Sequence, residues 1–401
     1  MQNQHTASPP LSPSPRGRPS PASRGAFRIG RLFGVEILAH WSWPIVIALL
    51  TWSLQAGFLP AAYPQWTVQQ RWAVGLLTSL LLFGSVLLHE LAHALVARRR
   101  GYRAERIVLY LFGGGTELTD EPRRPRDEFW IAAAGPLTSI AAIVAFSALW
   151  LCGRVLDLQP LYPLAGYLAL MNALLAAFNL LPGLPLDGGR MLRALLWSGR
   201  RSRLQATHTA SIGGRIIAAL LFGVGILRVL GGDVGGLWFA LIGWFLWEAA
   251  QSSYRRLLVE SALGALPVSA LTDRDVPRLP PDLPLRRFVD EYVLGRQVQA
   301  AFVAPTDDAD VLGLITLTDL RRVPPDQWDE VSVYRAMTPR DRLIATTPES
   351  EALAALETMA AHQVRQLPVF QGRTALGLVT LTALAQAIQL RRTLPVGQQL
   401  G

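Results

Sequence analysis

The chain has 401 residues and carries 38 basic against 29 acidic side chains, a formal net charge of +9. Of its residues 51% are hydrophobic and only 17% charged, with a mean hydropathy of +0.28, which excludes a small soluble module or a disordered chain and puts a membrane protein first. One cysteine, Cys152, excludes an intramolecular disulfide framework and a Cys-rich zinc site, so any bound metal must be held by His and carboxylates. All the basic residues are Arg, and arginines flanking apolar segments face an anionic leaflet, so the charge does not call for nucleic acid.

Residues 1–26 are rich in Pro, Ser and Arg with almost nothing to bury, and a disordered tail is expected rather than a signal peptide. Six stretches then read as membrane-embedded: 37–57, 72–97, 128–152, 161–182, 207–229 and 234–250. The last two are weaker, one interrupted by Arg215 and the other short. Arg16 to Arg31, Arg98 to Arg106, Arg123 to Arg126, Arg190 to Arg203 and Arg255 with Arg256 fall on one side if the spans alternate, which predicts cytoplasmic termini. Trp66, Trp72, Trp130 and Trp150 sit at span ends, at headgroup level. The expected fold class is therefore a polytopic α-helical membrane domain over 27–257, with a small β-hairpin, followed by a soluble α/β part. That part divides at 258–325 and 326–392, before a short tail at 393–401, and contains an internal repeat: GLITLTDL at 313–320 and GLVTLTAL at 377–384. Each copy follows an apolar strand (299–303 and 366–370) and leads into a helix, so two copies of one β-α-β-β-α unit fit.

The chemistry concentrates at the end of the second span, which is uncharged from Trp72 to Leu88 and then reads HELAH. His89 and His93 are four apart, so a helix puts both imidazoles on one face, one turn apart, where they can ligate one divalent metal. Glu90 is placed to take a proton from a water that the metal activates. Ionisable residues continuing an apolar helix are costly to bury without a shared partner, which argues against a merely charged helix end. Two histidines leave a catalytic zinc one protein ligand short. Asp187, at the corresponding end of the fourth span in NLLPGLPLDGGR, is the candidate, although Asp-Gly-Gly after Pro-rich sequence is also an ordinary turn. Asn172 and Asn179 share a face of that span, where a buried amide either staples helices or serves as an oxyanion donor.

HELAH in one span and NLLPGLPLDGGR ending another resemble the site-2 protease family, zinc metalloproteases that cut peptide bonds within the membrane; the match covers roughly residues 30–255. The resemblance implies His89, His93 and Asp187 as ligands of one zinc, Glu90 as general base and acid, and Asn179 as substrate-orienting or oxyanion amide. It lends Asn172 no such role. RAERIVLYLFGGGTELTD, broken by Gly113 to Gly115, reads as a hairpin; in the family such a hairpin lies near the metal, and its edge can pair with an unwound substrate. AAAGPL at 132–137 also resembles the family but has a sufficient packing explanation in its small residues. His40 reads as a packing residue, and His5, His208 and His362 as unrelated to the metal.

The repeated soluble unit resembles a pair of cystathionine-β-synthase (CBS) modules, roughly 262–325 and 332–392. That resemblance implies a cleft for an adenosyl ligand such as an adenine nucleotide, with Thr316, Asp319 and Thr380 at the strand-to-helix segments; Ala383 replaces the acid in the second copy. A purely structural or dimerising pair is the alternative, and a homodimer through these modules is open. The function expected is intramembrane zinc endopeptidase activity on transmembrane segments of membrane-bound regulatory proteins, with CBS modulation. The rivals are a CBS-gated channel or transporter, which predicts two matching halves that the membrane part lacks, and an inactive scaffold. Partners are the bilayer and a transmembrane substrate, without nucleic acid. The absence of Lys fits a GC-rich bacterial source, and the spans with their arginine clusters predict a multi-pass protein of a bacterial-type plasma membrane with the CBS part cytoplasmic.

Overall fold

The computed structural model describes residues 25–110, 113–118, 121–199, 201–306 and 310–393. The expected tails at 1–26 and 393–401, and His5 with them, lie almost wholly outside this range. The chain divides into two compact units, Met1–Tyr254 and Arg255–Gly401.

Five helical segments in the first unit are long and apolar enough to cross a membrane. The first is α1 (Trp43–Ser53), continued by a π-turn (Leu54–Phe58) into α2 (Leu59–Ala62). The others are α3 (Val68–Arg99), α4 (Pro125–Val155), α5 (Leu161–Asn179) and, after the short α6 (Asp187–Ser198), α7 (Arg203–Leu230). A sixth span over 234–250 was expected. That stretch begins α8 (Gly236–Leu263), but its apolar run ends at Trp247, before Glu248, and is too short to count among the five. The helix ends follow from local chemistry. Thr67 and Gln70 form a reciprocal capping box at the start of α3, and Arg98 with Arg99 meets the negative end of its dipole. Pro125 opens α4, with Asp127 and Glu128 in its first turn.

The expected first span began at 37, but residues there form strand. The segments β1 (Ala26–Leu32), β2 (Val35–His40), β3 (Ala104–Tyr110) and β4 (Gly113–Leu118) make one sheet in that order, antiparallel except for β2 with β3. The apolar run VEILAH alternates buried and half-buried positions, a period of two that fits a strand. Val35, Ile37, Ile107 and Leu109 pack one face of this sheet on Leu91 and Ala94 of α3. That packing fixes the predicted hairpin as β3–β4 and brings its edge strand over the turn of α3 that carries Glu90.

In the second unit the first copy follows the expected β-α-β-β-α order, whereas the second lacks its first strand and keeps only an isolated bridge of Thr346 to Val369 there. The first copy runs β5 (Arg278–Leu279), α9 (Leu285–Arg287) with a π-turn (Phe288–Leu294), β6 (Ala300–Val303), β7 (Gly313–Thr316) and α10 (Leu317–Leu320). After α11 (Val333–Ala336) and β8 (Thr338–Pro339), the second runs α12 (Ala352–His362), β9 (Gln366–Gln371), β10 (Thr374–Thr380) and α13 (Leu381–Thr393). Each copy has its own core, one around Phe288 and Ile315, the other around Met359 and Leu367.

Candidate metal centre

His89 and His93 project from consecutive turns of α3, as their spacing predicts, and are 3% and 4% exposed. Asp187, the first residue of α6, meets them: its Oδ2 lies 3.1 Å from His89 Nε2 and 3.2 Å from His93 Nε2. One donor atom from each of the three lies within 4.8 Å of the others, the only such His and carboxylate group among the described residues. The other ring nitrogens are engaged by α4. His93 Nδ1 lies 2.6 Å from the Ile131 carbonyl and donates to it, and His89 Nδ1 is 3.0 Å from Ser139 Oγ. Nδ1 anchored in this way leaves Nε2 as the free lone pair, the arrangement that orients metal-bound imidazoles. Burial opposes ionisation of Asp187, but the neighbouring imidazoles and Arg190, 3.9 Å away, hold its carboxyl well below the usual carboxylate range.

The donor set fits a divalent ion such as zinc: two neutral nitrogens, one carboxylate and room for a fourth position. Gly135 supplies that room. A Cβ built there would collide with Nε2 of both histidines, so the glycine of AAAGPL is required by the site and not only by helix packing.

The three side chains open on a cavity of about 260 Å³ whose lining includes Glu90, Thr116, Asn179 and Arg190. Glu90 Oε2 accepts a hydrogen bond of 2.9 Å from Thr116 Oγ1, and Gly114 lies so close to the Glu90 side chain that a Cβ there would collide with it. Asn179 Nδ2 donates to the Leu175 carbonyl at 3.1 Å, leaving its second N–H free to face the cavity. Asn172 lies elsewhere: fully buried, it donates to Ser85 Oγ and the Leu168 carbonyl, a tie between α5 and α3. His40 bonds Ser42 Oγ and lies tilted beside Tyr110, His208 packs on Tyr254, and His362 bonds the Thr358 carbonyl, all apart from the cluster.

Thr116, Ser139, Gly135 and Arg190 were not anticipated as site residues. Arg190 alone carried a signal, one helical turn after Asp187; the other three gain their roles from packing between elements distant in sequence.

In the second unit, Thr316 and Asp319 close a capping box on α10, and both Asp319 oxygens are engaged, one by Thr316 and the other by Arg322 and Thr338. Asp319 is 3% exposed. Thr380 accepts from the backbone N–H of Ala383 at the start of α13.

The profile of Peptidase family M50 matches residues 77–155 and 153–224, and that of the CBS domain matches 268–326 and 333–390. Rip3 of Mycobacterium tuberculosis, named as a zinc metalloprotease, is 36% identical over 372 residues, covering 92% of this chain and 94% of its own. The Synechocystis protein sll0528, named likewise, is 32% identical over 367 residues, 90% of this chain and 95% of its own. A solved site-2 protease from Methanocaldococcus jannaschii is 27% identical, covering 57% of this chain and 95% of that one, with a TM-score of 0.40. With helices fit to span a bilayer and relatives matched along nearly their whole length, this chain belongs to peptidase family M50, the site-2-type zinc metalloproteases of membranes, and carries a tandem CBS region.

Proposed function

We propose that the chain is an intramembrane endopeptidase in which His89, His93 and Asp187 hold one zinc ion, Glu90 is the general base and then the general acid, and Asn179 steadies the developing oxyanion. The convergence of two Nε2 atoms and one carboxylate oxygen beside Glu90 is the observation that carries this reading. Zinc, when bound, supplies Lewis-acid activation of a water and part of the charge stabilisation. Glu90 takes the proton of the attacking water and delivers it to the leaving amine. The free N–H of Asn179 donates to the scissile carbonyl oxygen as charge develops there. Strand β4, the edge of its sheet and the strand that ties Thr116 to Glu90, receives the unwound substrate segment by strand addition.

The substrate class is a transmembrane segment of a membrane-bound regulator, whose backbone must leave its helix before a peptide bond is reachable. The arginine clusters support cytoplasmic termini and a cytoplasmic CBS region in a bacterial-type plasma membrane. An adenosyl ligand at the CBS pair, and a homodimer through it, would modulate cleavage; Thr316 and Thr380 at the two helix starts support a phosphate contact, and Asp319 would have to leave its capping box to reach a ribose.

The test is metal content of the detergent-purified chain, with cleavage of a model transmembrane substrate in parallel. About one zinc per chain is expected, lost in His93→Ala and Asp187→Ala, while Glu90→Gln keeps the metal and loses cleavage. Metal-free wild type that remains folded would overturn the site, and unchanged activity in Glu90→Gln would favour a scaffold. Adding ATP, ADP or AMP to the wild type checks the CBS reading: no binding by calorimetry rejects it.

A further inference from the structure

A second cavity, of about 530 Å³, lies at the C-terminal end of α3, its lining there beginning at Arg98, five residues beyond His93. Its charged lining is Arg31, Glu36, Arg98, Arg103, Glu105 and Arg106. Glu36 is committed to Arg106 at 3.4 Å, whereas Arg31 and Arg103 meet no carboxylate among the described residues. With Glu105 the other carboxylate, four arginines against two glutamates leave the cavity a surplus of positive charge at the end of a candidate span.

The β1–β2 turn forms one wall. Its two central residues, Phe33 and Gly34, have φ of +47° and +80°, the geometry of a two-residue hairpin that ordinarily uses Asn-Gly or Asp-Gly. Gly34 meets that demand and also makes room for Arg98, whose Nη1 would sit 2.9 Å from a Cβ there and donates to the Phe33 carbonyl. Phe33 does not meet it: a bulky side chain at positive φ is unfavourable, and this one is 70% exposed at the tip. Phe27, Ile29 and Leu32 of β1 are 47%, 50% and 44% exposed. Strain and exposed apolar area together have no folding rationale, and both are accounted for if the tip lies in lipid.

We propose that this cavity binds the phosphate headgroup of an anionic phospholipid, with Phe33 inserted at the headgroup–acyl boundary beside it. Arg31 and Arg103 supply the unpaired charge for the phosphate, and Arg98 ties the headgroup site to the helix that carries His89 and His93. A lipid rather than free phosphate is favoured because the apolar tip adjoins the basic pocket and the pocket opens at a span end.

The test uses the full chain in detergent, exchanged into mixtures of phosphatidylglycerol and phosphatidylcholine, with retained lipid read by native mass spectrometry. Wild type is expected to retain phosphatidylglycerol preferentially. Arg31→Gln and Arg103→Gln should each lower that preference about five-fold, and Phe33→Asn should lower the total retained lipid about ten-fold. Phe33→Asn relieves the turn, so its melting temperature should not fall, which separates lost binding from lost fold. Arg321→Gln with Arg335→Gln, the same charge removed from the CBS unit, should change nothing. Equal retention of the two lipids, variants that retain as wild type does, a control pair that loses the preference, or displacement of the lipid by equimolar inorganic phosphate would each overturn the proposal.

Discussion

Thr116 is the residue whose role is least visible in the chain and most visible in space. Its single hydroxyl proton goes to Glu90 Oε2 at 2.9 Å, with the Glu90 carbonyl a longer alternative acceptor at 3.2 Å, and so holds the carboxylate toward the cavity. A hydrogen bond to a charged group contributes about 1.5–3 kcal/mol. Thr116→Val should therefore lower kcat by about ten-fold or more with KM little changed, and Thr116→Ser should restore it; steady-state kinetics on a transmembrane substrate checks both. Ser139→Ala frees His89 Nδ1, and outer partners of this kind are worth about 10–100-fold in metal affinity. Competition with a chelator of known affinity reads that loss directly, and unchanged affinity would show that Ser139 does not orient the ring. The pair His89 and His93 was legible because one helix sets both by a spacing of four. Thr116, Ser139 and Gly135 were not, because a hydroxyl or a glycine in a span has many packing uses and only the docking of β4 and α4 on α3 selects one.

Among the elements, α6 has the most to hold, since it begins at Asp187 and must stay registered against α4, which anchors both histidines. One tether is the ion pair of Glu128 on α4 with Arg193 on α6, Nε to Oε1 2.6 Å, with Glu128 fully buried and its Oε2 without a hydrogen-bond partner. Removing one member of a buried pair costs about 3–5 kcal/mol because the other charge is stranded. Glu128→Ala should lower the thermal stability of the purified chain and loosen its metal, whereas Glu128→Met with Arg193→Met should recover most of the stability; a double variant as unstable as the single would contradict this account. The other tether is the close seating of α7 on the loop before Asp187. A Cβ on Gly214 would collide with the Leu184 carbonyl, and Leu184 N–H donates to the Ala210 carbonyl across the contact at 3.0 Å. Gly214→Ala should displace that loop and reduce bound metal, measured per folded chain. All five spans could be placed from apolar length, the first begun too early. The strand at 35–40 could not, because six apolar-rich residues running toward a long span read as part of it until the alternation of burial is seen.

At the scale of the whole chain, each unit has its own buried clusters, the first around the sheet and α3, the second around the two repeat cores. Two transitions are therefore expected in a calorimetric scan of the intact protein. Chelation of the metal should lower the transition of the first unit alone, by the loss of a ligand bound only to the folded state. Phe288→Ala, which empties about 3–5 kcal/mol of core packing, should lower the other alone. A single transition that moves as one body under both treatments would reject this partition. The repeat made the second unit legible, because two copies of the same eight-residue strand-to-helix step announce one structural unit used twice.

His89 and His93 lie on one helix, and the carboxylate that meets them is made 94 residues later. At about 5–20 residues per second, synthesis leaves the histidine pair without Asp187 for about 5–20 s, while α4 and α5 are still being delivered to the bilayer. If that trio is the zinc site proposed above, it is assembled only after α4 and α5 exist to enclose it, a safeguard written in the order of the chain.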